Sequence, residues 1–169
     1  MQRHFSVTTV LLCALIAIAG TFPARAQAGS DKAAIQALYK QFNDGFNKKD
    51  VSAIMAVYAP DVFVFDVIPP RQYVGWDAYK KDWDDLFAGM PGPISNTVTD
   101  LDITVVGPVA YTHYIATGTM TDKDGKPMHV SVRSTDVLRK EKGKWLIVQE
   151  HNSLPVDLGT GQADFLSKP

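Results

Sequence analysis

The second half of the chain is a series of long alternating runs joined by short glycine turns, and this limits its fold more than any other feature. The runs are "TVTDLDITVV", "VAYTHYIATGTMT", "KPMHVSVRSTDVLRK" and "KWLIVQEHNS". Between them "DKDGK" and "EKGK" place glycine where a hairpin needs a left-handed residue. Period-two alternation with such turns predicts an antiparallel meander. The first half reads differently. "SDKAAIQALYKQFNDGF" carries Ile35, Leu38, Phe42 and Phe46 at helical spacing, with Ser30 or Asp31 as N-cap. Asp50 caps a short second helix with Val51, Ile54, Met55 and Tyr58, ended by Pro60. A strand "DVFVFDV" and a loop "PPRQYVG" follow, then a third helix over residues 76–87 with Trp76, Tyr79, Trp83, Leu86 and Phe87 on its apolar side. Helices first and strands afterwards make an α+β pattern, with the helices on one face of a curved sheet.

The turns also set register. If each is a three-residue loop with a glycine bulge, Lys140 pairs with Lys144 and Asp122 with Lys126. Arg133 then lies opposite His151 and Ile115, and Thr135 opposite Gln149 and His113. These six residues share one face of three strands. In "WLIVQEHNSLP", Trp145, Ile147, Gln149 and His151 alternate onto that same face. An apolar face that ends in Gln and His suits a pocket better than a core. The other face carries Val132, Leu138, Leu146 and Val148, too apolar to be left wet, and is expected to form a homodimer interface.

The start of the chain has the pattern of a secretory leader. Arg3 and His4 precede an apolar run over residues 7–19, and Ala24-Arg25-Ala26 fits a small-x-small cleavage site. Ala26-Gln27-Ala28 fits a second one. The run is too short for a membrane span. The expected organisation is a leader at 1–26 (or to 28), one domain at 30–155 and a tail at 156–169, in a periplasmic or secreted protein. Cleavage after Ala26 leaves 15 Lys plus Arg against 18 Asp plus Glu, a net charge of −3, and removes Cys13, the only cysteine. The mature domain is thus expected to fold without a disulfide. A mildly acidic chain lacks the clustered basic face that nucleic acid requires.

The runs "FNKKDVSAIMAVYAPDVFVFD", "YVGWDAYKKDW" and "VRSTDVLRKEKGKWLIVQEHNSLP" resemble the nuclear transport factor 2-like superfamily, in its SnoaL-like or ketosteroid-isomerase-like branch. The resemblance covers nearly the whole mature chain. It implies a cystatin-like, cone-shaped antiparallel sheet wrapped around the N-terminal helices, a pocket between them, and usually a dimer. That scaffold hosts isomerases, dehydratases, binders and oligomerisation modules alike. Asp66 stands where the isomerases keep a general base. Their oxyanion-hole Tyr and protonated Asp correspond to Phe42 and Thr135, so this part of the pattern is missing. Tyr39, one helical turn earlier, is a possible substitute for the tyrosine.

The candidate catalytic residues are therefore Asp66 and His151. Desolvation beside Phe63, Val64 and Phe65 would bring the Asp66 carboxyl toward useful base strength, and a histidine titrates near neutrality. Strand alternation argues the other way for Asp66: if Phe63 and Phe65 face inward, it faces out. Arg133, His113, Thr135 and Gln149 are the candidate substrate contacts. An inward arginine would call for a carboxylate or an enolate-like ligand. The alternative for this cluster is a structural polar network. Tyr58 and Trp83 pack the core by their spacing and are expected at the pocket mouth too. No HxH or HExxH spacing occurs, and neither a metal nor a cofactor is expected. The expected ligand is a small hydrophobic or amphipathic molecule, handled either by an isomerase- or dehydratase-type enzyme or by a non-catalytic binding or dimerisation module.

Overall fold

The computed structural model describes residues 24–165 and 167. The basic start and apolar run read as a leader lie at 1–23, outside the described residues. Among the described residues no helix is long and apolar enough to cross a membrane. The elements are α1 (Ala24–Lys48), α2 (Val51–Met55), β1 (Tyr58–Phe65), β2 (Tyr73–Val74), α3 (Trp76–Gly89), β3 (Ile94–Val106), β4 (Val109–Thr121), β5 (Pro127–Glu141) and β6 (Lys144–Ser153). One six-stranded sheet has the order β2-β1-β6-β5-β4-β3. It is antiparallel except where β1 runs parallel to β6. The short β2 falls within what the sequence suggested was loop, and β1 begins at Tyr58, so that Pro60 lies in a strand instead of ending a helix.

The helices cover one face of the sheet. Ile35, Leu38, Tyr39 and Phe42 recur along α1 and are buried against it. Tyr79 and Trp83 do the same from α3, and Val62 and Val64 from β1. Asp50 is the N-cap of α2, its side chain accepting from the Ala53 N–H at 3.0 Å. The expected cap at Ser30 or Asp31 is not one, because α1 begins earlier, at Ala24. Asp31 instead sits inside the helix and is buried. It accepts a hydrogen bond from Lys140 Nζ at 2.5 Å and another from Trp145 Nε1 at 3.1 Å, tying the start of α1 to the β5–β6 hairpin.

The β4–β5 register is as expected. Asp122 N donates to Lys126 O, Gly125 takes φ +76°, and Ile115 and His113 lie opposite Arg133 and Thr135. The β5–β6 register is not. Its turn has two residues, Lys142 and Gly143, both at positive φ (48° and 85°), and pairs Glu141 with Lys144. A bulge then falls at Val148, where the pairs step from Leu138–Ile147 to Val137–Gln149. His151 consequently faces Thr135 instead of Arg133. A second irregularity in β3, between Thr99 and Asp102, includes Asp100 at φ 54°. Bulges of this kind bend a sheet locally and raise its twist.

The bulge changes which side chains of β6 point inward. Trp145 and Ile147 are buried ahead of it, and Glu150 is buried after it, while Gln149 and His151 are exposed. The proposed dimer face has to be corrected as well. The two-residue turn pairs Leu138 with Ile147, Leu138 is fully buried and Val132 lines the cavity, so these two lie on the side the helices cover, while Leu146 alternates to the opposite side.

The Asp31 anchor gives a stability test. The hydrogen bond from Lys140 holds the Asp31 carboxyl below its ordinary range. For a lowered acid, the stabilisation is present above pH ~4 and is lost as pH falls through the folded-state value. Asp31→Ala, which also leaves the Trp145 N–H unpaired, should cost about 1.5–3 kcal/mol near pH 7. Urea unfolding at pH 7 and pH 3 should show the loss shrinking at the lower pH.

Candidate active site

A cavity of about 130 Å³ lies between the inner face of the sheet and helices α1 and α3. Phe42 and Phe46 reach it from α1, Trp83 and Leu86 from α3, and Val130 and Val132 from β5. Trp83 meets Phe42 and Phe46 edge-on at centroid distances of 5.7 and 5.8 Å, so this wall is interlocked aromatic packing. Its polar lining includes Asp66, Glu150, Asn152 and Ser134.

Three of these side chains form a connected chain. Ser134 Oγ donates to Asn152 Oδ1 at 2.6 Å, and Asn152 Nδ2 donates to Glu150 Oε1 at 2.7 Å. Glu150 also accepts from Tyr79 at Oε1 and from Tyr58 at Oε2, both at 2.6 Å. Burial raises the Glu150 carboxyl, and its three hydrogen bonds act in the opposite direction. The same surroundings push the Tyr58 and Tyr79 hydroxyls well up, through burial first and the Glu150 charge second.

Asp66 follows the end of β1 and faces this group. Phe63 and Phe65 point to the opposite side of the sheet, where their rings meet at 4.9 Å and Phe65 packs on His151 at 5.6 Å. The next inward position after Val62 and Val64 thus goes to Asp66. Burial, and then the charge of Glu150, raise its carboxyl from an ordinary value near 4 to about 7. Asp66 Oδ1 accepts from the Val67 N–H at 2.5 Å. Asp82 on α3 lies near it, itself raised by burial and bound by the Tyr73 hydroxyl at 2.6 Å.

A further buried carboxyl, Asp136, is fully enclosed and does not line the cavity. Tyr39 donates to its Oδ2 at 2.6 Å and also hydrogen-bonds Thr112, and Tyr114 is a further partner of the carboxyl, while Oδ1 has no close hydrogen bond of its own. Burial and the Glu150 charge push it far above the ordinary carboxylate range.

The residues singled out from the sequence thus separate into two groups. Asp66 and Trp83 line the cavity, and Tyr58 stands behind it, holding Glu150. His113, Arg133, Thr135, Gln149 and His151 do share one face, but it is the face turned away from the helices, and all five are exposed. They make no polar floor for the cavity, and Arg133 holds no internal anion there. Glu150, Asn152 and Ser134 were missed. Val132 and Leu138 already marked the helix side of β5, and Ser134 and Asp136 alternate with them. Among the described residues, no group of three His, Cys, Asp or Glu side chains could hold a metal ion.

The SnoaL-like domain family matches residues 35–157. The chain belongs to this family. No curated protein matches the sequence. Among solved structures, a nuclear transport factor 2-like protein of unknown function from Pseudomonas putida is 27% identical, with a TM-score of 0.76 over 83% of this chain and 98% of that one. A ketosteroid isomerase-like protein from Erwinia carotovora is 22% identical (TM-score 0.63, 72% and 93% covered). A candidate scytalone dehydratase from Novosphingobium aromaticivorans is 15% identical (TM-score 0.69, 76% and 86% covered). The last two show a shared SnoaL-type fold. In this SnoaL-like chain, Thr135, set against the isomerases' oxyanion-hole Asp, points outward, and the carboxyl one residue on, Asp136, points inward. It is bonded to the α1 tyrosine Tyr39, and neither residue lines the cavity.

The elevated Asp66 carboxyl has a cost that can be measured. Its folded value lies above its unfolded one, so the folded protein binds the extra proton and stability falls as pH rises from ~4 to ~7. A rise from near 4 to about 7 corresponds to roughly 4 kcal/mol as an upper bound. Asp66→Asn should therefore stabilise the protein at pH 8, with the gain disappearing toward pH 4, as read from thermal unfolding across that range.

Proposed function

We propose that the cavity is a small-molecule site in which Asp66 takes up and returns a proton. The observation that carries this is the placement of an inward carboxyl at the polar end of an otherwise apolar and aromatic cavity. A carboxyl raised to about 7 is present in both protonation states near neutral pH, which suits a general acid–base. The chemistry is of the isomerase or dehydratase type, in which a proton leaves one atom and another is delivered nearby. His151, on the far side of the sheet, takes no part. We further propose, from the basic start, the apolar run and the small-x-small site of the sequence, that the protein works outside the cytoplasm with its leader removed. The small-molecule reading also allows a homodimer through the outer sheet face, which carries Phe63, Phe65, Ile115 and Val137.

One observation favours a second reading, a non-catalytic binder. The donors at the polar end already serve protein acceptors, Ser134 to Asn152 and Asn152 to Glu150. Breaking a C–H bond in a neutral substrate leaves negative charge, and the described donors at this end are already engaged. A binder would retain one compound tightly and leave it unchanged.

The test is a panel of small cyclic alcohols, ketones and imines incubated in D2O, followed by mass spectrometry for water loss or deuterium uptake. The enzyme reading expects an activity that falls at least ~100-fold in Asp66→Asn and persists in His151→Ala. Equal turnover by Asp66→Asn would remove Asp66 from the chemistry. No turnover, with a compound retained in native mass spectrometry, would leave the binder.

A further inference from the structure

Apart from Asp31, which Lys140 pairs, the described buried carboxyls have no basic partner. Asp66, Asp82, Asp136 and Glu150 approach the cavity region from β1, α3, β5 and β6, and none forms an ion pair with another described residue. Among the described residues, no Lys, Arg or His lines the cavity. The other titratable groups facing this cluster are the tyrosine hydroxyls of Tyr39, Tyr58, Tyr73, Tyr79 and Tyr114, with Lys81 and Asp85 acting on Asp82 from the same helix.

The hydrogen-bonding capacity of the lining is equally one-sided. Ser134 donates to Asn152, Asn152 donates to Glu150, and Asn96 Nδ2 donates to Asn43 Oδ1 at 3.0 Å. The Tyr114 hydroxyl is engaged with Ser134 and Asp136. Trp83 Nε1 has no partner, but protein atoms cover it and it does not reach the cavity surface. What remains for a ligand is chiefly acceptor capacity on Asp66, which takes the Val67 N–H and an Asn152 N–H and shares a hydrogen bond with Asp82, against one further N–H on the Asn96 amide. The walls add the faces and edges of Phe42, Phe46 and Trp83. A carboxylate set among aromatic rings attracts a cation twice over, by charge and by ring quadrupole. The cavity volume, about 130 Å³, is close to the roughly 150 Å³ of an apolar cavity that takes up benzene, so one ring fits.

We infer that the cavity selects a small apolar amine, bound as its ammonium ion with the nitrogen at Asp66 and the hydrocarbon among Phe42, Phe46 and Trp83. This rests on reading the cavity as a small-molecule site, and it names the charge class of the molecule. A carboxylate ligand, which an inward Arg133 would have favoured, is excluded by repulsion from Asp66 and Glu150. An uncharged ligand fills the same space but supplies no counter-charge.

The test compares three ligands of similar size by isothermal titration calorimetry at pH 8: 2-phenylethylamine, 2-phenylethanol and 3-phenylpropionate. The expected result is at least tenfold tighter binding of the amine than of the alcohol, and no binding of the acid. The amine's advantage should shrink toward equality by pH 5.5, as Asp66 takes up its proton, and should be lost in Asp66→Asn at pH 8. The pH series on the unaltered protein makes the same comparison without relying on the variant. Binding of the alcohol as tight as that of the amine would overturn the charge inference while leaving a small-molecule site in place. Binding of none of the three would overturn both.

Discussion

Strand β6 has to serve two layers of the interior. Near its start it must bury Trp145 and Ile147 under α1, and near its end it must turn Glu150 and Asn152 toward the cavity. The two pairs lie an odd number of positions apart, so no regular strand can point both the same way. The extra residue at Val148 resolves the conflict. The hydrogen-bonded end of the site follows from that step, because Glu150 is the acceptor on which Tyr58, Tyr79 and Asn152 converge.

The sequence shows why this was hard to see. The order of helices and strands is legible from spacing, and so is the β4–β5 hairpin, whose Asp-Gly loop has the length its composition suggests. The β5–β6 turn is not, because "EKGK" fits either two or three loop residues. A bulge carries no composition of its own: Val148 is an ordinary strand residue in an ordinary strand. Strict alternation from Trp145 therefore led to Gln149 and His151, and the grouping of His113, Arg133 and Thr135 with them is real but lies on the outer surface. Asp66 shows the opposite case. Two aromatics beside it suggested an inward pair and an outward acid, yet Phe63 and Phe65 pack on each other and on His151 outside. Large apolar side chains mark contact with something, and here the two rings and His151 pack on one another on the outer face.

The acids of the interior raise one another. Burial is the first cause for Asp66, Asp136 and Glu150 alike, and the Glu150 charge is the next for both aspartates. Tyrosine hydroxyls and an amide, not cations, offset it. Such an arrangement keeps every carboxyl oriented while leaving the charge itself uncompensated, which is expensive for the fold and useful only to a molecule that brings the missing sign.

The bulge also bears on how proteins of this fold are compared. A chain lacking the residue at Val148 would show the same inward set in unbroken alternation, with Glu150 and Asn152 each one position nearer to Trp145. Matching two such chains position by position needs a single-residue gap inside a central strand, although length differences ordinarily fall in loops. Without that gap, the outward Gln149 of this protein would be set against the other chain's inward acid, and its site would appear to be missing.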